Sequence, residues 1–276
     1  MINFNGELLF KENVSLSIEN RGLKYGDSIF ETLKVTNNKV VFLEDHYFRL
    51  MASMRMLRMK IPMEFTLEYL EEEILRLIKV KDASPSYRVR FTVFRKDGGY
   101  YTPKTNEIEY VIEATPLDYQ TKSTYKIDVF KDFYNYSGLL STIKTNNRMV
   151  NTLASIFAKE NDLDNCILIN ENKGVVEVTN GNIFVIKDNI VKTPALTEGC
   201  IKGIIRKKVI EILQKNDQFT IEETSISPFE VQKADEVFIT NAIIGIQPVT
   251  QYKKKTFNVD LGNKLQKNLQ VLAFTN

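Results

Sequence analysis

Lys144 and Glu177 are the two residues of this chain whose type and setting point most directly to chemistry. Lys144 stands in S-T-I-K-T-N-N-R, just ahead of an apolar helical pattern. Glu177 stands in G-V-V-E-V-T-N-G, inside a run of β-branched residues that reads as a buried strand. A lysine amine whose surroundings lower its pKa can condense with an aldehyde and later move a proton. A carboxylate in such a strand can keep a heterocyclic nitrogen protonated, so that the ring accepts carbanion electrons. The single histidine, His46, and two cysteines in no zinc spacing, Cys166 and Cys200, make histidine triads and metal clusters poor candidates. The chemistry falls to Lys, Glu, Arg, Tyr and Thr, with no metal expected.

The elements that must position these groups follow from periodicity. With 276 residues, 43% of them hydrophobic, the chain can bury a sizeable core in one or two domains. Two short strands flank the turn at Asn5-Gly6, and 20–27 reads as turns. Alternation over 28–35 predicts a strand, and Asn37-Asn38 turns it into a second one over 40–43. Glu44 and Asp45 then open a helix over 46–59 with Leu50, Met54 and Leu57 on one face. A second helix over 66–80 buries Leu67, Leu70, Ile74, Leu77 and Ile78, its Glu71-Glu72-Glu73 run reading as a solvated face. Strands follow at 87–94 and 108–112, and the polar stretch 116–123 is the expected boundary between a domain of residues 1–118 and one of 119–276. Beyond it come a strand at 125–130 and a helix over 147–159 with a stripe of Val150, Leu153, Ile156 and Phe157. Four quick strands span 166–192, a helix starts at Gly203, strands lie at 221–224 and 236–240, and a helix lies within 259–273. The class is α+β, with mixed and mostly antiparallel sheets.

Composition removes several roles. Lys+Arg 37 against Asp+Glu 35, a net charge of +2, gives no basic face for nucleic acid. No apolar run approaches a membrane span, and the first residues lack a signal-peptide pattern. Both cysteines read as reduced, buried thiols of a cytoplasmic protein.

Several motifs stand together in order: R-G-L-K-Y-G-D-S-I-F-E-T, L-E-D-H-Y-F-R-L, I-K-T-N-N-R, V-V-E-V-T-N-G-N-I-F, T-P-A-L-T-E-G-C-I-K-G-I-I-R and D-E-V-F-I-T-N-A-I-I-G-I-Q-P-V. Over almost the whole chain they resemble the class IV, fold-type IV, pyridoxal phosphate enzymes. That family holds branched-chain and D-amino acid aminotransferases and 4-amino-4-deoxychorismate lyases. The resemblance implies two lobes, a smaller N-terminal α/β sandwich and a larger barrel-like C-terminal domain, and a homodimer. It implies pyridoxal 5'-phosphate as cofactor and a small-molecule amine as substrate. Lys144 matches the catalytic lysine that bonds the cofactor aldehyde, and Glu177 matches the glutamate facing the pyridine nitrogen. Arg49 matches the phosphate-binding arginine, whose planar fork suits a phosphate dianion. The amides of Ile204 and Ile205 after Gly203 match the phosphate cup, an anion site at a helix start. Thr240 and Asn241 match a strand end close to the cofactor, and Tyr25 and Phe30 a wall of the substrate pocket.

The details lean toward the lyase. Aminotransferases of this family usually carry threonine where Ile205 stands and serine or threonine where Ala242 stands. K-T-N-N-R, with Asn147 and Arg148, is similar to the lyase pattern, as is the loop Arg95-Lys96-Asp97-Gly98-Gly99-Tyr100-Tyr101. The lyases carry arginine after the paired glycines, where this chain has Tyr100. Arg88, Arg90, Arg95 or Arg148 must then meet the substrate's carboxylates, and a regular strand puts Arg88 and Arg90 on one face and Arg95 on the other. The expected activity is release of pyruvate and 4-aminobenzoate from aminodeoxychorismate. A class IV aminotransferase acting on branched-chain or D-amino acids with a keto acid is the alternative.

Overall fold

The computed structural model describes residues 1–275 and falls into two compact units, residues 1–118 with 144–147, and residues 119–143 with 148–275. Helices and strands occur in both, so the fold is α+β.

The first unit is one sheet covered by two helices. Its elements are β1 (Ile2–Phe4), β2 (Glu7–Leu9), α1 (Arg21–Tyr25), β3 (Ser28–Thr36), β4 (Lys39–Val40), α2 (Leu43–Met56), α3 (Leu67–Lys79), β5 (Ser86–Arg95) and β6 (Ile108–Pro116). The strand order is β2-β1-β6-β5-β3-β4, antiparallel at every pairing. Asn5-Gly6 and Asn37-Asn38 make its tight hairpins, all four residues holding positive φ, which Asn and Gly tolerate and which matches the strand twist. Alternation sorts the two faces. Ile29, Leu33 and Val35 of β3 and Tyr87, Val89, Phe91 and Val93 of β5 pack with Leu50, Met51 and Met54 of α2 and Leu70, Ile74 and Leu77 of α3. Phe30, Arg88 and Arg90 therefore belong to the other face.

Several expectations change here. The turn-rich 20–27 stretch contains α1, whose N-cap Asn20 accepts the Leu23 amide; five residues are too few for periodicity to register. The strand expected over 40–43 is only two residues long, because Leu43 already belongs to α2. The α2 stripe runs through Met51, and Leu57 lies past the helix end. Glu73 is no solvated residue: it is 5% exposed and accepts hydrogen bonds from Asn3 and Arg76.

The second unit holds β7 (Lys126–Val129), α4 (Met149–Glu160), β8 (Asn165–Ile169), β9 (Val175–Val178), β10 (Asn182–Lys187), β11 (Ile190–Pro194), α5 (Ile204–Gln214), β12 (Thr220–Thr224), α6 (Pro228–Lys233), β13 (Glu236–Asn241), β14 (Gly245–Val249), β15 (Gln251–Tyr252), β16 (Lys255–Thr256) and α7 (Asp260–Thr275). Two five-stranded sheets, β12-β11-β10-β13-β14 and β16-β15-β7-β8-β9, enclose one apolar core. Ile127, Ile167 and Val178 come to it from one sheet and Ile183, Val237 and Val249 from the other. Three pairings are parallel, β11 with β12 and β7 with both β8 and β15. On α4 the buried pair is Ala154 and Ala158; Val150, Leu153 and Phe157 pack beside them, and Ile156 is exposed. Sequence reading passed over α6, whose Ser227-Pro228-Phe229-Glu230 forms a full capping box.

Candidate active site

In the first unit, Lys144 is placed by a short addition to the sheet. Residues 144–146 lie along β3: Phe30 N–H donates to Lys144 O at 2.9 Å, Ile29 bridges Thr145, and Asn146 N–H donates to Ser28 O at 3.0 Å. The Lys144 ammonium lies 4.5 Å from the centroid of the Phe30 ring, and the Arg90 guanidinium carbon lies 3.7 Å from the same centroid. Arg90 donates to Thr92 Oγ1 at 3.2 Å and to Asn146 Oδ1 at 2.9 Å, both neutral acceptors. Burial and the nearby Arg88 lower its pKa. Glu113, its cross-strand neighbour, pulls the other way, but both hydrogen-bond acceptors are neutral, which suits the half-buried guanidinium to an incoming carboxylate. Asn147 lies against the Gly26 turn and donates to Gly26 O at 3.3 Å.

Arg49 is no surface arginine. Its Nε donates to Glu31 Oε1 at 2.7 Å and its Nη2 to Glu31 Oε2 at 2.5 Å, while His46 Nδ1 lies 2.7 Å from the same Oε2. Burial alone would raise the Glu31 pKa, but Arg49 and His46 together hold it down at about 2. Burial lowers the His46 pKa against the opposing pull of Glu31. Glu31 was not singled out from sequence. Its signal was a carboxylate in phase with Ile29 and Leu33 on the core face of a strand, opposite a helix bearing His46 and Arg49 at i, i+3.

Arg95 departs from the substrate role expected of it. Its Nε and Nη2 donate to Asp27, its Nη1 to Arg58 O and Asn106 Oδ1, and its Nη2 also to Leu57 O. All five guanidinium N–H groups are satisfied inside the protein, which leaves none for a substrate carboxylate. Asp27 also takes Arg21 Nε at 2.9 Å, and Arg21 Nη1 reaches the carbonyls of Gly98, Gly99 and Tyr100. That contact holds a loop on which Tyr100 and Tyr101 are 85% and 91% exposed. Tyr101 lies 5.8 Å from the Tyr25 ring, centroid to centroid.

In the second unit, Glu177 is 2% exposed although β9 ends its sheet. Its Oε2 accepts the Ile201 amide at 3.0 Å, and Arg148 Nη1 stands 3.9 Å from its Oε1. Arg148 Nη2 donates to Ile143 O at 2.9 Å, beside the start of the Lys144 segment. Further along, α5 opens on Gly203 with no side-chain cap, so its first-turn amides, Ile204 and Ile205 among them, face outward with the positive end of the helix dipole. A Cβ at Gly203 would overlap Asn182 Oδ1. Asn182 in turn donates to Ile201 O at 2.9 Å and pairs in register with Thr240. The Thr240 hydroxyl is buried with no hydrogen-bond partner among the described residues. Asn241 turns its Oδ1 to the Ile243 and Ile244 amides at 3.0 and 2.9 Å, closing the turn before β14.

Within the second unit, an uncapped helix start and an orphaned buried hydroxyl suit a phosphate, and a buried carboxylate suits a protonated ring nitrogen. Within the first unit, Lys144 carries a primary amine of the kind that condenses with an aldehyde. The model for class IV aminotransferases matches residues 28–252. The chain belongs to the class IV aminotransferase family. Class IV members are pyridoxal phosphate enzymes, so cofactor and enzymatic character come with membership. The chain is 27% identical over 282 residues to a D-alanine aminotransferase of Bacillus licheniformis, covering 97% of this chain and 93% of that one. It is 26% identical over 259 residues to an aminodeoxychorismate lyase of Vibrio harveyi, covering 91% and 92%. In fold it is similar to a branched-chain aminotransferase of Thermoproteus uzoniensis, with a TM-score of 0.89 at 22% identity, covering 98% and 93%. Both cysteines are buried, and burial pushes each thiol up to about 12, which leaves them unreactive. No described helix is long and apolar enough to cross a membrane.

Proposed function

We propose that this class IV enzyme is a 4-amino-4-deoxychorismate lyase. The observation that carries the reading is the lack of hydroxyls at two turns: Ile205 follows Gly203-Ile204 at the start of α5, and Ala242 follows Asn241 before β14. Family aminotransferases usually place threonine or serine there. Arg90 supports an acidic substrate, since its guanidinium has neutral acceptors and shares the Phe30 ring with Lys144.

When bound, pyridoxal phosphate supplies an electron sink for a substrate carbanion. By the family resemblance, Arg49 would bind a phosphate dianion, and the Ile204 and Ile205 amides and the Thr240 hydroxyl offer donors of the kind such a group takes. Glu177 would keep a proton on the ring nitrogen, and Asn241 fixes the turn before β14. Lys144 would hold the cofactor aldehyde and would serve as the base for the proton on the carbon that bears the substrate amine. Arg90 pairs with a substrate carboxylate, while Tyr25 and Phe30 wall the ring. Asn147 and Arg148 fix the ends of the Lys144 segment, and Tyr100 and Tyr101 belong to the substrate side. The electron pair left by the proton that Lys144 takes would break the bond between the ring carbon and the enolpyruvyl oxygen. The released enolpyruvate would take up a proton at its methylene carbon to become pyruvate, and aromatisation of the ring to 4-aminobenzoate would drive the step. We place the enzyme in the cytoplasm as a homodimer with no nucleic-acid or membrane partner.

Incubation with aminodeoxychorismate and no keto acid is expected to yield 4-aminobenzoate and pyruvate in equal amounts. If neither forms while D- or branched-chain amino acids pass their amino group to 2-oxoglutarate, the lyase reading gives way to the aminotransferase one. Tyr100, standing where the lyases carry arginine, favours that second reading.

A further inference from the structure

Arg49 carries a long side chain whose ordering costs up to about 2 kcal/mol of rotamer entropy if it happens only on binding. Here it is ordered by the fold. Glu31 rises from β3 and engages Nε and Nη2 together, so the guanidinium is held at two points. The carboxylate could still rotate, and His46 closes that freedom. Its Nδ1 is 2.7 Å from Oε2, the oxygen that also takes Arg49 Nη2. All three side chains are at least nearly buried, with exposures of 2% for His46, 4% for Glu31 and 11% for Arg49. A carboxylate beside an anion site repels the anion, so attraction cannot be the purpose of Glu31. Its value to the site is orientation.

We propose that His46 is a positioning residue for the anion-binding Arg49, acting through Glu31. The inference rests on the reading of Arg49 as a phosphate ligand. His46 touches neither substrate nor cofactor in this role; its Nδ1–H donates a hydrogen bond to Glu31 and so fixes the fork that presents Arg49. Removing a ring that carries no charge leaves the electrostatic balance of Arg49 and Glu31 in place and withdraws only the clamp.

The test compares binding of pyridoxal 5'-phosphate and of pyridoxal, which lacks the phosphate, to full-length protein freed of cofactor, read by the visible absorbance of each complex. The readout is the ratio of the two affinities. In His46→Leu the ratio is expected to fall about tenfold, close to the lower limit for losing one hydrogen bond to a charged group. His46→Asn, which keeps a donor near the Nδ1 position, is expected to recover most of it. A purely structural role for His46 would weaken both ligands alike and leave the ratio unchanged, which overturns the proposal. Arg49→Met is the reference: if it lowers the ratio and His46→Leu does not, the positioning role fails alone. If Arg49→Met leaves the ratio unchanged, the phosphate role of Arg49 fails and takes the proposal with it. Should His46→Leu not fold, the wild-type protein answers, because its sole histidine gives one imidazole signal set by nitrogen NMR. The Nδ1 resonance is expected to shift when pyridoxal 5'-phosphate binds and to stay put when pyridoxal binds. Equal shifts with both, or none with either, overturn the proposal.

Discussion

Arg90 and Arg95 sit five positions apart on one strand, and their surroundings assign them opposite work. Arg95 meets two carbonyls, an amide oxygen and both oxygens of Asp27, a set that lysine cannot reproduce with its compact head. Arg95→Lys is therefore expected to lower stability by about 3–5 kcal/mol, the scale of breaking a buried charge network, as read from urea denaturation midpoints. Arg90 donates to neutral oxygens and stacks on Phe30, so Arg90→Met is expected to cost about 1 kcal/mol of stability. Its effect should appear in binding, as a rise in KM of at least about tenfold for an acidic substrate. Near-equal stability losses in the two variants would contradict this division. Sequence alternation placed Arg95 opposite Arg88 and Arg90. It carried no information on which acceptors would close around each guanidinium, since Leu57, Arg58 and Asn106 come from other parts of the chain.

At the scale of elements, the start of α5 depends on a residue from another strand. Gly203 leaves room for Asn182 Oδ1, while Asn182 Nδ2 fixes Ile201 O, whose own N–H holds Glu177. Gly203→Ala is expected to push Asn182 aside, disturb both the α5 amides and the Glu177 partner, and speed loss of cofactor on dialysis several-fold. Adding Asn182→Ala removes the clash and is expected to recover part of the retention. A double variant no better than the product of the single effects would rule out this coupling. The glycine and the helix behind it were legible, because G-I-I-R opens a clear apolar period. The role of Asn182 was not, since it arises from the pairing of β10 with β13 and a loop return that no local pattern encodes. The β13–β14 hairpin is hidden for a related reason: Ile243 to Pro248 has no clean alternation and holds a proline, which argues against a strand, and Asn241 closes the turn through its side chain.

For the molecule as a whole, the buried Glu31–His46–Arg49 group links folding to acidity. Glu31 titrates near 2 in the folded chain against an ordinary value of 4.5, so its contribution is complete above 4.5 and disappears as pH falls toward 2. The His46 pKa is lowered from 6.5, so the unfolded chain takes up its proton first, and stability declines as pH drops below 6.5. Both act in the same direction. Urea unfolding followed from pH 7 to pH 2 is expected to show falling stability, with Glu31 accounting for on the order of 3 kcal/mol between pH 4.5 and 2. Glu31→Gln should flatten the lower part of that slope; an unchanged slope would assign acid sensitivity to other groups. Unit composition carries another consequence. The edge of β3 at Ser28 to Phe30 is paired by residues 144–146, and β4 covers only Val35 and Thr36. During synthesis this edge waits while residues 119–146 are added, roughly a few seconds at about 5–20 residues per second. An unpaired edge invites other strands. The lysine segment is thus also the cap of a nascent sheet, and a ribosome that stalls before residue 144 would leave an intermediate prone to aggregate.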